Sequence, residues 1–133
     1  MKILVVDDDP SVLLRLKLIL EKSGHQVVAA TNGFKGLQQY KMERPELIIL
    51  DIEMSDMSGC DVARTIKRCA FDKLIPILFL TAVTDDKIIA ECMEGGGDDY
   101  ILKPFNKDLL EAKINAWSKN VQLFRESAQS APG

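Results

Sequence analysis

The chain has 133 residues, a length typical of one domain, and its formal net charge of -3 argues against a broad nucleic-acid-binding face. Hydrophobic residues make up 47% and charged residues 28%, which suits a packed core with a polar surface. Every apolar run is far shorter than the roughly 20 residues that span a bilayer, and the N-terminus has no signal-peptide pattern, so we expect a cytoplasmic protein that binds neither membrane nor, by itself, nucleic acid.

Apolar runs and helical periodicities alternate from the N-terminus onward. Residues 2–6 predict a buried strand, and Asp9 followed by Pro10 predicts the capped start of a helix. Apolar residues then recur at helical spacing as far as Gly24, which favours a helix end. The members of this set are Val12, Leu13, Leu16, Ile19 and Leu20.

The middle of the chain repeats this alternation. Residues 26–30 predict a second strand, and Asn32-Gly33 predicts a turn before a helix that stops ahead of Pro45. Residues 47–51 predict a third strand, which a loop separates from the third helix. The two helices are marked by Phe34, Leu37 and Tyr40, and by Val62, Ala63, Ile66 and Ala70.

The C-terminal part completes five strand–helix units. Residues 77–81 and 99–102 predict the last two strands, residues 85–94 predict a helix between them, and a fifth helix begins near Asn106 or Lys107. Nearly continuous apolar strands are typical of parallel sheets that are buried on both faces. The pattern therefore predicts an α/β fold, a (βα)5 doubly wound parallel five-stranded sheet.

The last predicted helix carries a longer apolar repeat than packing on the sheet requires. Its members, spaced four and three residues apart in turn, are Leu110, Ile114, Trp117, Val121 and Phe124. We expect Val121 and Phe124 to lie beyond the compact domain, although folding back onto the sheet edge is an equal alternative. A projecting helix would form a short coiled-coil linker to a partner or an output domain. We assign residues 1–118 to the domain and 119–133 to a helical extension with a flexible linker or tail.

The three cysteines, Cys60, Cys69 and Cys92, are an odd number without close pairing, which favours reduced thiols in a cytoplasmic protein. With His25 as the only histidine, a zinc site would lack an adequate ligand set. We interpret the cysteines as small, buried or half-buried hydrophobic residues.

Charged residues directly follow three predicted strands. Asp7 and Asp8 follow the first strand, Asp51 ends the third, and Lys103 follows the fifth. Ligands of open parallel sheets bind beyond the carboxyl ends of the strands, so these side chains are expected to converge. Because carboxylates held close repel one another, the sequence predicts a divalent cation here and an anion beside the lysine.

Mg²⁺ is the cation that fits this donor set best, because it prefers oxygen ligands from one or two carboxylates together with a phosphate. We expect Asp8 and Asp51 to bind it directly, with Asp7 bound directly or through water. The backbone carbonyl of Glu53 would complete the set, and Mn²⁺ could replace Mg²⁺.

A carboxylate can also act as a nucleophile and form an aspartyl phosphate. Asp51 is the best candidate because the third strand is central in such a sheet. Lys103 and the hydroxyl of Thr81, at the end of the fourth strand, would stabilise the oxygens of the transferred group. Each residue alone has an ordinary structural alternative, such as a helix cap, a turn or a strand end; their order along the strands makes the combination specific.

Four segments together resemble the receiver domain of two-component response regulators. They span residues 3–10, 47–54, 79–82 and 97–105, and the resemblance covers about residues 1–118. It implies the flavodoxin-like strand order 2-1-3-4-5. It also implies that a histidine kinase or a phosphotransfer protein donates the phosphoryl group.

The resemblance further assigns roles within the site. It implies that Asp51 accepts the phosphoryl group while Asp7 and Asp8 hold Mg²⁺. Thr81 and Tyr100 would form a switch pair, in which Thr81 moves toward the phosphate and Tyr100 turns inward behind it. The face built from the fourth helix, the fifth strand and the fifth helix would then change shape. A downstream output domain or protein would recognise it, and a homodimer could form through this face or through the extended last helix.

Two backbone features also follow from the resemblance. The Lys103-Pro104 bond is expected to be cis, a form essentially confined to X-Pro bonds. The family usually has proline after Met54, where this chain has Ser55, so we expect the loop from Ser55 to Gly59 to be less rigid.

Three other functions compete with a signalling receiver. A small Mg²⁺-dependent phosphohydrolase would need a second acid, for which Glu53 is a partial match, and a cap over its substrate. A nucleotide- or flavin-binding module would need a glycine- or hydroxyl-rich first loop, whereas the three aspartates here repel phosphate unless a metal is bound. A degenerate receiver would lack site residues that this chain retains.

Overall fold

Five strands and five helices alternate along the chain, as the sequence pattern predicts. The computed structural model describes residues 1–69 and 74–130. In chain order the elements are β1 (Lys2–Val6), α1 (Pro10–Lys22), β2 (Gln26–Ala30), α2 (Gly33–Glu43), β3 (Leu47–Leu50), α3 (Gly59–Cys69), β4 (Ile77–Thr81), α4 (Asp86–Glu94), β5 (Asp99–Leu102) and α5 (Lys107–Ser130). Predicted residue Ala70 lies outside the described residues.

The five strands form one parallel sheet in the order β2-β1-β3-β4-β5, which confirms the predicted flavodoxin-like order. Strand β3 is central, and Val6 at the end of β1 pairs with Leu50 at the end of β3. The chain leaves β1 and β3 toward opposite sides of the sheet at this point, which is where ligands bind in doubly wound folds.

Both faces of the sheet are buried under helices. Successive strand residues point to opposite sides, so each strand contributes to two core clusters. One core cluster combines Ile3, Val5, Leu47 and Ile49 with residues of α1 and α5. The other combines Leu4, Val6, Ile48 and Leu50 with residues of α3 and α4. The central strands are therefore rigid supports for the loops at their carboxyl ends.

Side-chain caps define several helix starts. The carboxylate of Asp9 accepts a hydrogen bond from the N–H of Ser11 (2.9 Å), and Pro10 occupies the first helical position, as predicted. Asn32, predicted as part of a turn, caps α2 by accepting from the N–H of Lys35 (2.8 Å). Asp85 likewise precedes α4 as its cap.

Phe34, Leu37 and Tyr40 all lie in α2, which confirms the helix that they mark; Leu37 and Tyr40 pack against the core, whereas Phe34 is 63% exposed. The prediction of unpaired, reduced cysteines is wrong for two of the three. The sulfur atoms of Cys60 and Cys92 are in direct contact, with Cα atoms 4.7 Å apart, because α3 and α4 pack side by side. The sequence pattern, in which these cysteines are 32 residues apart, predicted no such pairing.

The two C-terminal apolar residues of the α5 repeat have different surroundings. Val121 is 2% exposed, so it packs within the domain, contrary to the expectation that it lies beyond it. Phe124 is 48% exposed. Trp117 packs against the core cluster of α1 and α5, and its indole N–H donates to Asp99 (3.3 Å). Helix α5 continues to Ser130, so residues 119–130 of the predicted extension are helical; residues 131–133 lie outside the described part.

No helix in the described part of the chain is long and apolar enough to cross a membrane. The domain boundaries at residues 118 and 119 and the cytoplasmic location remain predictions.

Candidate functional site

The paired ends of β1 and β3 bring three carboxylates together. The N–H of Asp51 donates to the carbonyl of Val6 (2.9 Å), which continues the ladder between the two strands by one residue. Asp7 and Asp51 are buried, whereas Asp8 is exposed. One oxygen from each of the three carboxylates lies within 4.8 Å of the others. The sequence prediction that these side chains converge therefore matches the geometry.

Lys103 reaches this cluster from the end of β5. Its Nζ donates to Asp7 Oδ2 (2.7 Å) and lies 3.4 Å from Asp51 Oδ2. Its backbone N–H donates to the carbonyl of Thr81 (2.8 Å), which fixes the lysine to the end of β4. The Lys103-Pro104 bond is cis, as expected. A single ammonium group thus bridges two buried carboxylates.

One lysine does not offset the crowded negative charge. Burial and the nearby charge of Asp7 raise the pKa of Asp51 from 3.8 to about 6, although Lys103 acts in the opposite direction. Burial lowers the pKa of Lys103, but the hydrogen bond to Asp7 and the charge of Asp51 outweigh this and raise it above its usual value. Three hard oxygen donors that still repel one another fit a divalent cation such as Mg²⁺, with Asp7, Asp8 and Asp51 as the residues that would hold it.

The pKa of Asp51 has a consequence for stability. Because the folded pKa lies above the unfolded value of 3.8, the folded protein binds more protons between pH 4 and 6, and its stability falls as the pH rises through this range. In buffer with a chelator at pH 7.5, we expect Asp51→Asn to be more stable than the wild type. Its free energy of unfolding should be higher by about 1–2 kcal/mol, and it should unfold at a higher temperature. The difference should be nearly absent at pH 4, and thermal unfolding followed by circular dichroism measures it. Equal stability at pH 7.5 would contradict the crowding.

Thr81 and Tyr100 lie on neighbouring strands of the same half of the sheet. Thr81 is fully buried at the end of β4, and its Oγ1 accepts a hydrogen bond from the N–H of Val83 (3.0 Å). Tyr100 on β5 is 40% exposed. Next to Tyr100, Asp99 accepts hydrogen bonds from Lys113 and thereby ties α5 to β5. The switch roles of Thr81 and Tyr100 remain predictions, as does the role of the Glu53 carbonyl as a metal ligand.

Sequence reasoning missed two features of the site. Gly59 must lack a side chain, because a Cβ there would overlap the backbone carbonyl of Asp51. A cleft of about 440 Å³ opens beside Lys103 and is lined by Ser11, Val12, Arg15, Ala82, Pro104 and Phe105. The glycine eight residues after Asp51 was a usable signal, whereas nothing in the sequence marks the cleft.

Comparisons with known proteins agree with this architecture. The family model for the response regulator receiver domain matches residues 3–115. The transcriptional regulatory protein AfsQ1 of Streptomyces coelicolor is 38% identical over 129 residues, which is 97% of this chain and 55% of that protein. The DNA-binding response regulator MtrA of Mycolicibacterium smegmatis is 37% identical over 115 residues, 86% of this chain and 49% of that protein. The chain thus spans about half the length of the curated relatives it matches.

The fold is also similar to that of solved structures. A two-component response regulator from Clostridium difficile superposes with a TM-score of 0.85 at 31% sequence identity, over 90% of this chain and 96% of that one. The five-stranded arrangement of this chain therefore occurs in a known architecture.

Proposed function

Because the chain belongs to the response regulator receiver domain family, we propose that it is a phosphorylatable switch whose Asp51 accepts a phosphoryl group from a histidine kinase or a phosphotransfer protein. The observation that carries this proposal is the contact of one ammonium group, Lys103 Nζ, with two buried carboxylates of a three-aspartate cluster. Such a site combines a nucleophile with charges that can neutralise an incoming phosphoryl group.

In the proposed reaction an Oδ atom of Asp51 forms a bond to the phosphorus of a phosphohistidine. The P–N bond breaks, and its electron pair returns to the imidazole nitrogen. The ring leaves as neutral histidine when its other nitrogen is protonated before the transfer, so that the phosphohistidine ring reacts as a cation. The product is an aspartyl phosphate, an acyl phosphate whose charge lies beside Asp7 and Asp8. The pKa of Asp51 is raised to about 6, which is still below neutral pH. Asp51 is therefore mainly the nucleophilic carboxylate at neutral pH.

Lys103 and the metal site have separate tasks in this scheme. The Nζ of Lys103 moves from Asp7 or Asp51 to an oxygen of the bound phosphoryl group and donates a charge-assisted hydrogen bond. If Asp7, Asp8 and Asp51 held Mg²⁺ together with the Glu53 carbonyl, the ion would supply positive charge that offsets the repulsion between the carboxylates and an incoming phosphoryl group.

Phosphorylation would be converted into a signal through β4 and β5. The hydroxyl of Thr81 would turn toward the phosphoryl group, and Tyr100, now 40% exposed, would turn inward. The surface formed by α4, β5 and α5 would then change shape and be recognised by an output. The names of the relatives include transcriptional regulatory and DNA-binding proteins, so a DNA-binding output domain or protein is the partner we propose. The chain itself acts as a cytoplasmic switch rather than as an enzyme with turnover.

Incubation with a small donor that contains a P–N bond, phosphoramidate, tests the proposal. With Mg²⁺ present, intact-mass spectrometry should show one added phosphoryl group, and none with a chelator in place of Mg²⁺. The adduct should disappear in hydroxylamine, because acyl phosphates react with it. No adduct on protein that circular dichroism shows to be folded would contradict the proposal.

A further inference from the structure

The loop between β3 and α3, residues 51–58, carries Glu53 and has Ser55 where the family usually has proline. The sequence predicts that the segment from Ser55 to Gly59 is less rigid, and in the structure Asp56 of this segment contacts a neighbouring helix. Asp56 accepts two backbone hydrogen bonds from the start of α2, Oδ1 from Gly33 N–H (3.0 Å) and Oδ2 from Phe34 N–H (2.8 Å).

These hydrogen bonds use donors that a helix cannot satisfy internally. The first N–H groups of a helix have no partner within it. At the start of α2, the side chain of Asn32 accepts a hydrogen bond from the N–H of Lys35. The side chain of Asp56 accepts from the N–H groups of Gly33 and Phe34. A carboxylate at this end of a helix is also favoured by the helix dipole. The hydrogen bond from Phe34, together with that from Gly33, keeps the pKa of Asp56 below its usual value. Asp56 therefore makes a charged, two-point attachment, although it lies at the surface.

Two further contacts hold the loop in the same position. The side chain of Met57 packs on the bare backbone of Gly33, where a Cβ would overlap it. At the base of the loop, the N–H of Gly59 donates to the carbonyl of Ile52 (2.7 Å). The loop is thus closed at its base and attached to α2 at its centre, three residues after Glu53.

We propose that Asp56 is a positioning residue for the metal site. Its attachment to α2 fixes the loop and hence the backbone of Glu53. Asp56 thereby takes over the role of the proline that the family usually has at position 55. This inference rests on the proposed function, because it assumes that the Glu53 carbonyl is a ligand of Mg²⁺. It makes Asp56 more than a helix cap, since its loss should change the affinity for a cation that it does not touch.

A calorimetric Mg²⁺ titration of four proteins tests this inference. They are the wild type, Asp56→Ala, Asn32→Ala and the double variant Ser55→Pro/Asp56→Ala. Asn32→Ala is the matched control, because it removes the other cap of α2 and leaves the loop attachment intact. We expect Asp56→Ala to weaken Mg²⁺ binding by about three- to tenfold, because the loss of an outer-shell partner usually weakens metal binding by this much or more. Asn32→Ala should bind as wild type does, and the double variant should recover most of the affinity.

Thermal unfolding separates the capping role from the positioning role. Both single variants lose one cap of α2 and should unfold at a lower temperature, but only Asp56→Ala should lose Mg²⁺ affinity. Equal Mg²⁺ affinity of Asp56→Ala and wild type, or an equal loss in Asn32→Ala, would overturn the positioning role. A double variant as weak as Asp56→Ala would overturn the replacement of proline. A wild type that binds no Mg²⁺ would instead overturn the proposed function.

Discussion

Asp51→Asn is expected to accept no phosphoryl group from acetyl phosphate in the presence of Mg²⁺, under conditions in which the wild type is modified once. An uncharged amide is a poor nucleophile toward phosphorus, and it removes one anionic ligand from the cluster at the end of β3. Intact-mass spectrometry over a time course measures the effect. The variant should remain folded, because the substitution relieves the repulsion that raises the pKa of this carboxyl.

Asp61→Asn is the matched control for this substitution. Asp61 is an exposed aspartate in the first turn of α3, and it forms an ion pair with Arg64 on the same helix (3.0 Å). We expect its variant to be phosphorylated at the rate of the wild type. Modification of Asp51→Asn at a comparable rate would show that another group is the acceptor.

Lys103→Ala should lower the rate of phosphorylation by about 100-fold, the effect of removing one preorganised donor to a transition-state oxyanion. The same substitution should strengthen Mg²⁺ binding, because Lys103 competes with the cation for Asp7 and Asp51. Slower phosphorylation together with tighter Mg²⁺ binding would identify the lysine as a ligand of the phosphoryl group. Acetyl phosphate kinetics and a calorimetric Mg²⁺ titration measure the two effects.

Lys113→Ala is the control for the loss of a half-buried lysine. Lys113 pairs with Asp99 (2.8 Å) and has a side-chain exposure of 29%, against 21% for Lys103, but it joins α5 to β5. Its variant should keep both the phosphorylation rate and the Mg²⁺ affinity. If Lys103→Ala loses both properties, or neither, the role assigned to its ammonium group is wrong.

The sequence was sufficient to predict the sheet and the convergence of the acidic residues. Apolar runs set the strands, and the rule that ligands bind beyond the carboxyl ends of parallel strands placed Asp7, Asp51 and Lys103 together. The strand order needed the resemblance to a known family, because the hydrophobic pattern of a buried strand does not name its neighbours. The preference of Lys103 for Asp7 over Asp51 depends on side-chain geometry that no pattern encodes.

Other features escaped prediction because they join residues far apart in the sequence. No sequence pattern marks Asp56, since its partners are 22 and 23 residues away at the start of α2. The a/d repeat of α5 is the same whether Val121 packs on the domain or projects from it, and only the folded chain shows that it is buried. The contact of Cys60 with Cys92 likewise follows from the packing of α3 against α4.

Chemical mapping of the modified residue tests the central claim most directly. After phosphorylation with acetyl phosphate and Mg²⁺, borohydride reduces an aspartyl phosphate to homoserine, and peptide mass spectrometry locates it in the chain. We predict homoserine at position 51 alone. Homoserine at Asp7, Asp8 or another carboxyl, or its absence from a protein that has gained a phosphoryl group, would contradict Asp51 as the acceptor.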